Sequence, residues 1–227
     1  MCRWHCKRQL LHSGEITMHK NGFTMIELLV GIVIAMLCMI TMLMLFKQIS
    51  HISVDTTQDA EYDAQLQSGI LIAQKFIQNA GYGSGQQTDI AIGSFSGNPA
   101  ILWLYAQDLN ATPLAYQCQG IGEEITTEDG QKVHRLYLLK KTACGKTEAI
   151  TAGTWEKDQS ITVLRNNSNT PLYNYAMTSG SCSPFGIDKA SAKGLKQITL
   201  TAVRQHMSSG VGQNIQTVVC LNNIATT

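Results

Sequence analysis

Residues 23–46 read FTMIELLVGIVIAMLCMITMLMLF. The run is 24 residues long and holds one ionisable side chain, Glu27. As an α-helix it would extend about 36 Å, enough to cross the hydrocarbon layer of a bilayer. A secretory signal has a shorter apolar core followed by a small-residue cleavage site, and this run has neither feature. The flanks orient it. Arg3, Lys7, Arg8 and Lys20 precede the span, whereas Lys47 is soon followed by Asp55, Asp59, Glu61 and Asp63. Positive flanks stay in the cytoplasm, so the segment before the span is expected inside and the bulk of the chain outside.

Glu27 separates this span from a plain anchor. An acid in a membrane helix costs about 2.5–3.5 kcal/mol at the centre and less near an end. Cleavage after Gly22 would make Glu27 the fifth residue of the mature chain and would create a free amine on Phe23. An amine and a carboxylate in one apolar environment can pair, which offsets the burial of both.

The stretch Lys20-Asn21-Gly22-Phe23-Thr24-Met25-Ile26-Glu27-Leu28-Leu29-Val30 resembles the cleavage and methylation motif of type IV prepilins and pseudopilins. In that family a membrane-embedded aspartyl peptidase cuts after the glycine and methylates the new N-terminal phenylalanine. The acid pairs with the amine of a neighbouring subunit during assembly. The resemblance therefore implies cleavage between Gly22 and Phe23, methylation of Phe23 and an assembly role for Glu27. It implies as partners the prepilin peptidase, other major and minor pilins and the inner-membrane assembly platform. The implied location is a single pass of the inner membrane with the head in the periplasm, then a pilus at the cell surface. A leader ending at Gly22 is long for this family. Met18-His19-Lys20-Asn21-Gly22 forms a short basic leader, so residues 1–17 are expected to be an over-extension or dispensable. Cys2, His5, Cys6 and His12 match no zinc-ligand spacing.

Outward from the span, the chain stays helix-compatible to about Asn79, with no proline and one glycine, Gly69, after Phe46. Leu66, Ile70, Ala73 and Ile77 recur at helical spacing and mark one apolar face, which Tyr62 and Ala80 extend. Gly81, Gly83 and Gly85 are expected to end the helix. The pattern then changes to strands at Ile101–Ala106, Lys132–Lys141, Ile161–Arg165, Gln197–Val203 and Ile215–Leu221. The expected fold is α+β and type IV pilin-like: a long N-terminal helix packed on an antiparallel β-sheet head. The expected division is 1–22 leader, 23–46 transmembrane helix, 47–80 amphipathic helix and 81–227 β-rich head.

Composition narrows the function. With 44% apolar and 15% charged residues the chain is not of a disordered class. Four basic residues and one acid precede Phe23, leaving 13 basic against 15 acidic residues of the 17 and 16 in the chain. The head thus has no basic footprint for nucleic acid. Cys118, Cys144, Cys182 and Cys220 suggest two disulfides outside the cytoplasm. Three pairings are open, and Cys118–Cys144 with Cys182–Cys220 is favoured because each joins segments near in sequence. Cys38 reads as a small apolar filler in the span. Glu123, Glu124, Glu128 and Asp129 read as a solvated acidic turn ending at Gly130. Calcium is the alternative there, but the spacing matches no EF-hand loop. His51, His134 and His206 read as isolated, and no catalytic motif is present. The expectation is a non-enzyme with no cofactor and no metal, itself the substrate of a peptidase.

Ala64-Gln65-Leu66-Gln67, the stretch from Ile77 to Gly83 and the closing strand from Ile215 to Asn222 are similar to PilW-like minor pilins. This implies a low-abundance subunit that initiates or caps a pilus serving adhesion, twitching motility or DNA uptake. A J-type pseudopilin of a type II secretion system shares the layout. A membrane-tethered adhesin or binding module is the alternative from another class.

Overall fold

A computed structural model describes residues 22–142, 144–180, 195–204 and 214–224. The chain forms two compact units that divide between Ser53 and Val54. Helix α1, Met25–Ile77, begins in the first and ends in the second.

In the first unit the apolar side chains from Phe23 to Phe46 all lie on the surface. The most apolar window of α1 has a mean hydropathy of 2.9 and none of it is buried. A continuous apolar surface of this extent is not compatible with water on all sides. A helix answers the lipid problem because its backbone groups bond within the segment. The segment is built for membrane anchoring.

In the second unit Leu66, Ile70, Ala73 and Ile77 are all buried, so the helical-period face is the face that meets the head. Gly69 lies on it, where a Cβ would collide with Tyr173 Oη. Helix α1 stops at Ile77, and the following turns place Gly81, Gly83 and Gly85 at positive φ.

The head has two antiparallel sheets. The first is a five-stranded meander, β1 Ile90–Phe95, β2 Asn98–Asp108, β3 Ala115–Glu128, β4 Gln131–Lys141 and β5 Glu156–Arg165, in that spatial order. The second holds β6 Tyr173–Gly180, β7 Leu195–Ala202 and β8 Ile215–Cys220. The main core joins the α1 face to Ile101, Trp103, Ile121 and Leu136 of the first sheet and to Ile198, Leu200 and Val219 of the second. A smaller core lies on the other face of the first sheet, where Leu102, Leu104 and Cys118 pack with Ile150 and Trp155. Burial on both faces explains why β2 reads as a continuous apolar run rather than an alternating one.

Strands β1, β3 and β6 were not expected from the sequence. The acidic turn expected over Glu123, Glu124, Glu128 and Asp129 is corrected here. Glu123, Glu124 and Glu128 lie within β3, and only Asp129 and Gly130 form the turn. Both turn residues have positive φ, 49° and 76°, as a two-residue hairpin of the Asp-Gly kind requires. So tight a turn leaves the preceding acids in the ladder.

Candidate functional site

The N-terminal site is built by the start of α1. Gly22, Phe23 and Thr24 are exposed and precede the first helical residue, Met25. Nothing lies within 4 Å of where a Gly22 side chain would begin. The Gly22–Phe23 bond is therefore in non-helical, accessible backbone. Thr24 Oγ1 accepts a hydrogen bond from the Glu27 N–H at 3.3 Å. The Glu27 carboxylate turns back to the Thr24 N–H at 3.4 Å and to its hydroxyl at 3.3 Å. This reciprocal arrangement is a capping box, and it satisfies donors that a helix start leaves open. An acid in the first turn also faces the positive end of the helix dipole. The cap gives Glu27 a role within its own chain. The signal was legible as Thr-x-x-Glu at 24–27, and the reading of Glu27 as a pairing residue alone passed over it.

Residues 17–43 match the prokaryotic N-terminal methylation motif. That motif indicates a type IV pilin-like or pseudopilin subunit, processed by prepilin peptidase and assembled with other pilins. The exposed apolar helix fits this reading, since the motif belongs to a membrane-anchored segment. No curated protein and no solved structure matches the chain.

In the head of this pilin-like chain the cysteines and the buried polar groups set the structure. Cys118 on β3 is bonded to Cys144 beyond β4, with Cα atoms 5.6 Å apart and a sequence separation of 26. The bond anchors residues 144–155 over the second core. Closing a loop of this length stabilises by about 2–4 kcal/mol, mainly by restricting the unfolded chain. Cys118→Ser with Cys144→Ser is expected to cost that much. A thermal unfolding midpoint equal to that of the parent would contradict it. Cys220 is also disulfide-bonded. Cys182 lies outside the described residues, as do His206 and Met18. Cys38 is free and exposed on α1.

His134 is not isolated. Its ring is buried, with Nδ1 2.6 Å from Oε1 of the fully buried Glu123. Nε2 lies 3.1 Å from the Asn166 carbonyl and 3.2 Å from that of Ser168. A carbonyl only accepts, so Nε2 carries a hydrogen. The Glu123 carboxyl also accepts from the N–H groups of Leu172 at 3.1 Å and Tyr173 at 2.9 Å. Asn166 Nδ2 donates to Tyr62 Oη on α1 at 2.9 Å. Burial raises the phenols of Tyr62 and Tyr173 above their ordinary range, so both remain protonated donors at neutral pH. The network ties the β5–β6 crossover to the β3–β4 hairpin and to the helix. It is enclosed and structural in form. Two further acids of the hairpin are paired at the surface: Glu124 with Lys157, and Glu128 with Arg135. The Arg135 hydrogen bond holds the Glu128 carboxyl below its usual range. Among the described residues no three His, Cys, Asp or Glu side chains are placed to hold a metal ion.

Proposed function

We propose that the chain is a minor pilin that helps to initiate or cap a type IV pilus. The observation that carries the reading is the accessible Gly22–Phe23 bond set directly before a capped helix whose apolar segment, residues 25–46, lies wholly on the surface. In this reading Gly22 marks the cleavage site, Phe23 becomes the methylated N-terminus, and Glu27 pairs with a neighbouring subunit's amine. The chain is a substrate of the peptidase and performs no catalysis itself. A head of two sheets with a disulfide-anchored flap exceeds what a simple repeating subunit needs. The short stretches similar to PilW-like minor pilins favour the same assignment. The head resides in the periplasm while the helix is in the inner membrane, and reaches the cell surface with the pilus.

A deletion strain assayed for surface pili and for secreted proteins tests the assignment. Loss of pili or twitching with secretion intact supports a minor pilin. Loss of secretion with pili intact would assign a J-type pseudopilin instead. Loss of attachment alone would assign a tethered adhesin.

Glu27 can be tested apart from its cap. Glu27→Val is expected to leave cleavage intact and to reduce incorporation into sheared pili by about tenfold, the effect of roughly 1.4 kcal/mol. Thr24→Val weakens the cap, at a cost of about 1 kcal/mol, but keeps the carboxylate. It should therefore incorporate better than Glu27→Val. Equal incorporation of Glu27→Val and the parent would remove the intersubunit role.

A further inference from the structure

Strand β5 ends the five-stranded sheet, and its two halves are protected differently. Opposite its first half the register with β4 shifts twice, at Leu136/Tyr137 and at Leu138/Leu139. That half also carries the charged contacts Lys157–Glu124 and Lys140–Asp158. Bulges and charges are the ordinary means of blocking a sheet edge. From Thr162 to Arg165 the register is regular, paired in sequence with Leu136 back to Val133. Among the described residues no backbone bond forms on the side of this half that faces away from β4. Val163 here is 45% exposed.

The unprotected half borders a cleft of about 450 Å³ whose opposite wall is helix α1 from Gln58 to Gln65. From residue 48 to 74 the chain has no Lys or Arg. Asp63 on this helix is neutralised by Arg204. Glu61 lines the cleft, is exposed, and has a long contact of 3.4 Å with the Gln65 amide. Arg165 supplies a positive charge at the end of the strand. Among the described residues the cleft thus combines an unpaired strand edge, an apolar side chain on that edge and, on its helical wall, the Glu61 carboxylate.

We propose that Thr162–Arg165 is a docking edge for an extended, basic segment of a partner protein, which adds as a sixth strand beside β5. A strand added there presents alternate side chains to opposite faces. Its backbone would take up the free groups of β5. Apolar side chains would cover Val163, and a Lys or Arg on the helix side would meet Glu61. Charge complementarity selects the basic segment over an acidic one.

The test uses the full chain in a neutral detergent and a fluorescein-labelled peptide, Lys-Val-Thr-Val-Lys-Val-Thr-Val-Lys, read by fluorescence anisotropy. Saturable binding is expected. Two changes should each weaken it by about tenfold or more: exchanging every peptide Lys for Glu, and Glu61→Lys in the protein. The Glu peptide should bind Glu61→Lys better than it binds the parent. Methylating alternate peptide nitrogens should also weaken binding, because strand addition needs those donors. Circular dichroism checks that Glu61→Lys remains folded. Three results would overturn the proposal: no saturable binding of the Lys peptide, unchanged binding to Glu61→Lys, or full binding of the N-methylated peptide.

Discussion

Glu123→Ala is expected to destabilise the head by about 3–5 kcal/mol, because it leaves several buried polar groups without their partner. The change removes the carboxyl that contacts His134 Nδ1 and accepts from two backbone N–H groups, those of Leu172 and Tyr173. Each buried donor left without an acceptor costs about 1–3 kcal/mol. The substitution also empties volume beside a fully buried ring. Against a typical net stability of about 5–15 kcal/mol, this is a large fraction. His134→Ala should fall in a similar range, since it strips the Glu123 carboxyl and the Asn166 and Ser168 carbonyls of the side chain they share. The double variant should cost less than the two single variants together, because each removes the same contact. Denaturant unfolding of the detergent-solubilised chain, followed by tryptophan fluorescence, measures all three. Trp103 is fully buried in the main core and should report its exposure. A cost below about 1 kcal/mol for Glu123→Ala would show that the network does not hold the crossover in place.

The other large effect concerns processing. Gly22→Leu is expected to leave the precursor uncut, with loss of the mature form and of pilus incorporation. Folding is not at stake. A side chain at residue 22 enters open space, and α1 begins only at Met25. The helix cap of Thr24 and Glu27 is likewise untouched. The effect would therefore arise in recognition by the peptidase, in which the non-helical backbone and the missing side chain are the features presented. Immunoblotting of membrane fractions for precursor and mature sizes checks it. Normal maturation of Gly22→Leu would move the cleavage site elsewhere.

These two predictions differ in how far the sequence announced them. The membrane helix and its continuation were legible because their signals are local. An uninterrupted apolar run, a 3.6-residue period at Leu66, Ile70, Ala73 and Ile77, and glycines beyond the end need no knowledge of the rest of the chain. The capping box was legible in the same way, as Thr24 followed three residues later by Glu27. The head was less so. Strand β3 hides its pattern because Gly120 and Gly122 sit where a Cβ would press on Leu102 of β2 and Phe95 of β1. Two glycines and two adjacent acids inside a strand read as a loop until those neighbours are known. Glu123 and His134 meet only because the Asp129–Gly130 turn sets a register pairing Glu123 with Leu136 and Ile125 with His134. That makes the acid and the imidazole diagonal neighbours on one face. The contacts of Glu123 with Leu172 and Tyr173 depend on a crossover between sheets, which no local pattern encodes.

In the proposed function, assembly of the chain into a pilus begins with its mature N-terminus. Mass spectrometry of the N-terminal peptide should compare membranes from cells with and without prepilin peptidase. A chain beginning at N-methylated Phe23 is expected in the first and a retained leader ending in Gly22 in the second. A leader retained in both, or a mature chain beginning at any other residue, would contradict it.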